Sequence, residues 1–336
     1  MYDYHQFLVQ RLDNNNMWTN PDGTITNPGM IEFGGEVWFC YRAGMRHWEP
    51  TDIVIGVMDR KKWLPKKKFN KIKFPELGTR GYTLEDPRLF IYDGRLHISA
   101  AIIKYDPATH EIKWIRQCII EYSTLELKII QHSEIKQKAE KNWIFFNYDG
   151  ELYCSYSIFD QRHDVCRVVD NLAYPAYYTS YRCARWQRGN VMRGTSNLVL
   201  KDGLLWGVAH TSVDSDWWTT KYSRDLGLVA SYLSECSHVV IGKQRSRGTK
   251  AIHFQGVFYA MNSKPPFGIV YMQRGGMLAV PDLKTSIGKH VFYPSGLILD
   301  GDDWIVAAGI NDFKTAILRV PHSKVMEYLF QTSWYP

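Results

Sequence analysis

Gly81-Tyr-Thr-Leu-Glu-Asp-Pro-Arg-Leu-Phe-Ile-Tyr-Asp-Gly-Arg-Leu-His-Ile-Ser99 reads as a strand, a two-residue turn at Asp93-Gly94 and a returning strand. Asp-Gly between apolar runs is a hairpin signal, because both central residues of the tight turn need positive φ. The same unit of apolar run, glycine and second apolar run recurs at residues 30–41, 143–156, 198–207, 251–259 and 296–306. The turn glycines, at 35, 94, 150, 203, 256 and 301, are spaced roughly 45 to 60 residues apart. Only residues 133–141 and 324–330 carry a helical pattern, and both stretches are short. A hairpin repeated at this spacing with almost no helix between copies predicts an all-β chain, a five-bladed β-propeller with six blades as the alternative. No linker or low-complexity tract interrupts the pattern, so residues 1–336 are expected to form a single catalytic propeller domain.

The composition narrows the chemistry. Of the residues, 45% are hydrophobic, enough for a sizeable core, and no apolar stretch approaches the ~18 residues needed to span a bilayer. The start, Met-Tyr-Asp-Tyr-His-Gln, lacks the basic and apolar regions of a leader. Six cysteines, at 40, 118, 154, 166, 183 and 236, form no Cys-x-x-Cys pair and no Cys/His metal spacing, so a cytoplasmic protein with no metal is expected. The 12 Trp and 21 Tyr exceed what a core needs and suit both strands and sugar-binding platforms, for which Trp143, Trp304 and Trp217-Trp218 are candidates. A net charge of +7 sits largely in Arg60-Lys-Lys-Trp-Leu-Pro-Lys-Lys-Lys-Phe-Asn-Lys-Ile-Lys73. Such a run is read as a lysine-defended edge more than as a polyanion clamp, and no nucleic-acid partner is expected from it.

In a propeller the first strands of successive blades converge, so polar residues at their mouths can meet although they are far apart in sequence. The mouths here carry Arg42, Glu85, Asp86, Arg88, Lys141, Asn142, Arg193, His210 and Asp312. Pro87 fixes its own φ and is expected to push Asp86 toward an extended conformation, holding the carboxylate with little freedom. With Glu85 beside it, Asp86 is expected to retain its proton near neutral pH and to serve as a general acid. Arg and Lys around it can hold a phosphate.

On these motifs the chain resembles the five-bladed propeller family of β-mannoside phosphorylases, glycoside hydrolase family 130, and the related β-1,2-mannosyltransferases. The resemblance runs from about Asn27 to Val320, and its most specific motif is Glu-Asp-Pro-Arg at 85–88. It implies Asp86 as the proton donor and a phosphate site of Arg42, Lys141-Asn142, Arg193 and His210. It further implies that Asp312 binds sugar at subsite −1, with Glu85, Arg88 and Asn142 at the substrate. The implied reaction is inverting. Phosphate, or an acceptor hydroxyl in the reverse sense, attacks the anomeric carbon while Asp86 handles the proton of the bridging oxygen. Phosphate or a sugar phosphate is then a substrate, and no cofactor is implied. Residues 237–280, with Arg245, Arg247 and Arg274-Gly-Gly276, have no counterpart in the family pattern.

Two other function classes remain open on the sequence: a non-catalytic propeller that binds a glycan or polyanion, and a nucleotide-sugar transferase. The second would use Asp214-Ser-Asp216 or Asp300-Gly-Asp302 for a metal, although both pairs lie where turns favour Asp. There is no Gly-x-Gly-x-x-Gly, P-loop, His-Glu-x-x-His or Gly-x-Ser-x-Gly.

Overall fold

The computed structural model describes residues 10–11, 25–43, 52–66, 70–74, 77, 81–135, 137–159, 161–181, 191–194, 196–214, 252–273, 292–310, 314–327, 329–332 and 334–335. Within them the chain is a series of strands, antiparallel except where Leu127–His132 pairs in parallel with Leu172–Tyr181, with one short helix, His322–Glu327.

The strands fall into five successive meanders. The first runs Ile25–Phe33, Glu36–Ala43, Asp52–Asp59 and Asn70–Ile72, and the second Tyr82–Tyr92, Arg95–Tyr105, Ile112–Glu121 and Leu127–His132. The third is Ile144–Tyr148, Glu151–Phe159, Arg162–Val169 and Leu172–Tyr181. In the fourth, Val191–Gly194 and Val199–Lys201 both pair with Leu204–Asp214, followed by Ile252–Asn262 and Ile269–Gln273. The fifth is Phe292–Asp300, Asp303–Ile310 and Lys314–Pro321, with Gln10–Arg11 added from the other end of the chain as its outer strand. After the helix, Leu329–Gln331 pairs with Ile269–Gln273, and Trp334–Tyr335 with the end of Leu172–Tyr181.

The core is divided in the same way. One apolar cluster joins meanders one and two through Cys40, Ile55, Leu89 and Ile98, and another joins two and three through Phe90, Phe145 and Trp143. Phe146, Tyr153, Tyr259 and Phe267 join three to four, and Trp206, Phe258 and Trp304 join four to five. The last cluster sets Met30, Phe39 and Met58 of meander one against Ile298, Ile305 and Ile317 of meander five. Each meander therefore buries its two faces against its two neighbours, and the fifth packs back on the first.

The expected turns are present at Gly34-Gly35, Asp93-Gly94, Asp149-Gly150 and Asp202-Gly203, each pair at positive φ. The last hairpin uses Gly301-Asp302 with only Gly301 at positive φ, the alternative primed turn. The sixth expected hairpin does not exist. Gln255-Gly256 lies inside the single strand Ile252–Asn262, which pairs along its whole length with Leu204–Asp214. The glycine is there for space, since a Cβ at 256 would lie 2.8 Å from the Phe292 ring. The helix expected over 133–141 is absent among the described residues, and of the second expected stretch, 324–330, only 324–327 is helical, within His322–Glu327, while Leu329 and Phe330 lie in the strand Leu329–Gln331.

Candidate active site

Three of the five first strands are built alike at the point that matters. Asn27, Asp86 and Asn142 each precede by six residues the last residue of a first strand, Phe33, Tyr92 and Tyr148. All three are buried, and all have positive φ, at 51°, 54° and 72°. Asp86 is thus left-handed, not extended as its place before Pro87 predicts. The cause is a bulge: Glu85 pairs with Ala101 and Arg88 with Ser99, so Asp86 and Pro87 together oppose one residue, Ala100. An equivalent break between Thr26 and Gly29 frees Asn27 and Pro28. Short polar side chains that tolerate the left-handed region occupy both sites.

The bulges bring their side chains together. Asn27 Nδ2 donates to Asp86 Oδ1 at 2.5 Å, from meander one to meander two. Lys141 Nζ lies 3.6 Å from Asp86 Oδ2 and 3.6 Å from Glu85 Oε2. Arg42 Nη1 donates to Glu85 Oε1 at 2.8 Å, a buried ion pair. Arg88 Nη2 donates to Asn142 Oδ1 at 2.8 Å and to the hydroxyl of Tyr293. Tyr293 donates to Asn142 Oδ1 at 2.7 Å, with Asp86 Oδ2 at 3.4 Å as a more distant acceptor. The ring of His210 packs on that of Tyr293, with centroids 4.8 Å apart. Arg193 is exposed, pairs with His210 across the two strands and acts on its charge together with Arg88, Asp86 and Lys141. Eight of the nine expected site residues, Arg42, Glu85, Asp86, Arg88, Lys141, Asn142, Arg193 and His210, thus gather in one polar cluster, with Arg193 exposed at its edge. Asp312 lies outside the described residues.

The electrostatics overturn one expectation. Burial acts to raise the pKa of Asp86, but Lys141, Arg42, Arg88 and the Asn27 hydrogen bond outweigh it and hold the carboxyl well below the usual carboxylate range. Glu85, expected to keep Asp86 protonated, is itself engaged by Arg42 and Lys141. Burial and the charges of Arg193 and Arg88 keep His210 neutral, well below the ordinary imidazole value. Burial, Asp86 and Glu85 raise the Tyr293 phenol against the opposing charge of Arg88, so its proton stays on. Three cations face two carboxylates at the centre, and Arg193 adds a fourth at the rim. The side chains of the site therefore sum to a net positive charge.

Asn27 and Tyr293 are site residues that sequence reasoning missed. Asn27-Pro28 carried a signal, since it stands in its strand where Asp86-Pro87 stands in the next. Tyr293 carried none. Conversely, Trp143 and Trp304, candidates for sugar platforms, are fully buried in the inter-meander clusters. Trp217-Trp218 and Asp214-Ser-Asp216 as a motif lie outside the described residues. Asp300 is held by Arg60 at 3.1 Å and by Arg319 at 2.5 Å, and Asp302 faces Lys201 at 3.4 Å. That pair closes the turn at the end of Phe292–Asp300 opposite Tyr293. In the basic run Arg60 also binds Glu32, Lys66 binds Glu36, and Lys71 lies 3.3 Å from Asp52, so these cations stitch meanders one and five or cover an edge. Cys40, Cys118, Cys154 and Cys166 are buried free thiols. No helix among the described residues is long and apolar enough to cross a membrane.

No protein-family model matches the sequence, and no curated protein does. Solved structures do match. MPT-4, a mannose phosphorylase from Leishmania mexicana in complex with phosphate ion, superposes with a TM-score of 0.53 at 11% identity, covering 91% of this chain and 87% of its own. MPT-1, a GDP-Man-dependent mannosyltransferase from the same organism, has a TM-score of 0.55 at 10% identity, covering 89% and 86%. A GH130 structure from work on glycoside hydrolases that target β-1,2 mannosidic linkages in Candida mannan has a TM-score of 0.55 at 11% identity, covering 93% and 90%. At such identities the likeness is one of architecture, and it extends over nearly the whole chain. The chain has the fold found in the GH130 mannoside phosphorylases and in this mannosyltransferase.

Proposed function

We propose that this protein is an inverting mannosyl-transfer enzyme built on a five-bladed β-propeller, one meander to a blade, that moves a β-mannosyl group to or from phosphate. The observation that carries the reading is the buried carboxylate of Asp86, set among Arg42, Arg88 and Lys141 beside a second buried acid, Glu85, that Arg42 and Lys141 already hold. An inverting hydrolase needs a second carboxylate, roughly 6.5–9.5 Å from the first, to activate water. Here the second acid, Glu85, is adjacent in sequence and tied to Arg42 and Lys141. A phosphate nucleophile or leaving group needs no such base, and the surplus of cations suits it.

In the synthetic direction the acceptor oxygen attacks the anomeric carbon of an α-mannose 1-phosphate from the face opposite the phosphate. The bond from that carbon to the phosphate oxygen breaks, and the phosphate departs into the group of Arg42, Lys141, Arg193 and His210. The acceptor hydroxyl proton passes to Asp86, through a sugar hydroxyl where the carboxylate does not reach it directly. An ionised Asp86 is ready for that step. In phosphorolysis the incoming phosphate compensates the cations that hold Asp86 ionised, which raises its pKa and lets it protonate the leaving oxygen.

The test is to incubate the protein with α-mannose 1-phosphate and a panel of mannoside and glucoside acceptors, follow phosphate release, and run Asp86→Asn in parallel. Release that the variant loses by about 100-fold or more, the lower end of the usual effect of general acid–base catalysis, supports the reading. Silence from the wild type overturns it. GDP release from GDP-mannose would then favour a nucleotide-sugar donor, as in the structural neighbour MPT-1.

A further inference from the structure

The hydroxyl of Tyr293 stands where three elements of the pocket meet. Tyr293 belongs to the first strand of meander five, beside the register break between Pro294 and Gly296. Arg88 and Asp86 come from the bulged first strand of meander two, and Asn142 from the segment leading into meander three. No backbone pairing links Tyr293 to any of them, so its side chain is a polar connection across the pocket.

The hydrogen-bond inventory is restrictive. A phenol has one proton to give. Arg88 Nη2 donates to the Tyr293 oxygen, and the proton of Tyr293 goes to Asn142 Oδ1 at 2.7 Å in preference to Asp86 Oδ2 at 3.4 Å. Asn142 Oδ1 also accepts from Arg88 at 2.8 Å, so both its lone pairs are engaged and the amide is fixed with its NH2 left to donate to a ligand. The guanidinium of Arg88 lies 5.7 Å from the Tyr293 ring centroid, and His210 packs on the ring from another side. The groups facing Asp86 are then Asn27 and Arg42 from meander one, Glu85 and Arg88 from its own strand, Lys141 and Asn142 ahead of meander three, His210 from meander four and Tyr293 from meander five.

We propose that Tyr293 is a positioning residue of this site. Its hydroxyl, held by Arg88 and bonded to Asn142 with Asp86 in reach, orients the Asn142 amide and keeps Arg88 from collapsing onto the Asp86 carboxylate. Removing the oxygen releases Arg88 Nη2 from one of its two acceptors and leaves it Asn142 Oδ1 alone, beside the Asp86 carboxylate on which its charge already acts. A carboxylate captured by Arg88 no longer accepts a proton from substrate. This inference rests on the transfer reaction proposed above, and its first test does not.

That test is a pair of crystal structures, wild type and Tyr293→Phe. Phenylalanine keeps both ring contacts and the buried volume, so an unchanged thermal midpoint is expected and confirms that the variant folds. In the variant the Arg88 guanidinium should turn to Asp86 and the Asn142 amide should rotate. Arg88 and Asn142 both staying in place would overturn the proposal, whether or not any substrate is turned over. Where α-mannose 1-phosphate is a substrate, Tyr293→Phe should lower kcat by about 10- to 100-fold, within the usual effect of a lost positioning or proton-handling contact. KM for the sugar phosphate and the affinity for inorganic phosphate should stay within about threefold of wild type. In an Asp86→Asn background the same substitution should have little further effect, because Tyr293 acts through Asp86. An equal loss in both backgrounds, or a loss carried by KM, would refute the positioning role. An inactive wild type with Arg88 displaced in the variant would leave positioning intact and reject the transfer reaction alone.

Discussion

His163 gives a prediction whose size follows from the structure and that needs no substrate. It lies on Arg162–Val169 of meander three and is completely buried. Its Nδ1 is 3.1 Å from the carbonyl of Phe267 in meander four, so Nδ1 carries the proton and donates, while Nε2 accepts from Ser155 Oγ at 2.9 Å. Burial pushes its pKa down from 6.5 to about 4, against the Phe267 carbonyl, which favours the charged ring. The folded pKa is below the unfolded one, so the neutral ring contributes stability at high pH that is lost as pH falls from 6.5 toward about 4. For those two values linkage gives a loss of about 2 kcal/mol at about pH 5 and about 3 kcal/mol at about pH 4. The perturbation is His163→Gln, whose amide can donate to Phe267 and whose carbonyl can accept from Ser155 without titrating. Urea unfolding of both proteins at about pH 7.5 and about pH 5 is the assay, and the wild type should lose about 2 kcal/mol more than the variant on acidification. His210 is depressed in both proteins and cancels in the comparison. Parallel losses in the two proteins would refute the argument.

Two further outcomes are expected. Gly309→Ala should disarm the site without unfolding the protein, because a Cβ at 309 would lie 2.2 Å from Asn27 Oδ1 and must push Asn27 off Asp86; transfer activity should fall about tenfold or more while the circular dichroism spectrum is kept. Arg42→Met should destabilise by about 3 kcal/mol, the low end for breaking a buried ion pair, since Lys141 still faces Glu85. Adding Glu85→Gln should recover part of that loss in thermal unfolding. A double variant no more stable than Arg42→Met would mean that the Glu85 charge is not what the arginine compensates.

The all-β class and the hairpins were legible in the sequence because they rest on local rules. Strands alternate apolar and polar residues with a period of two, and a tight turn needs residues that accept positive φ, which Asp-Gly and Gly-Gly supply without help from the rest of the chain. The same local rule misled at Gln255-Gly256, where glycine answers the Phe292 ring of another meander and makes no turn. At residues 133–141 the backbone is instead drawn into a bridge between Ala139 and Ile115 of the strand Ile112–Glu121, and the short helical pattern does not form among the described residues. Most of the candidate site was readable as polar residues at strand mouths, and the bulged first strands of neighbouring meanders bring those mouths together. Three things could not be read. Trp143 and Trp304 went to the core because the faces of neighbouring meanders needed large side chains. Asp86 took a left-handed bulge despite Pro87, because pairing of the flanking residues with Ala101 and Ser99 left two residues opposite one. Its ionisation, opposite in sense to that expected from Glu85 alone, is a sum over Lys141, Arg42, Arg88 and Asn27. Composition and periodicity along the chain determined which elements form and which residues stand at their ends. Only the tertiary structure decided which of those residues touch, because charge, burial and hydrogen bonding depend on distances between meanders that no local rule encodes.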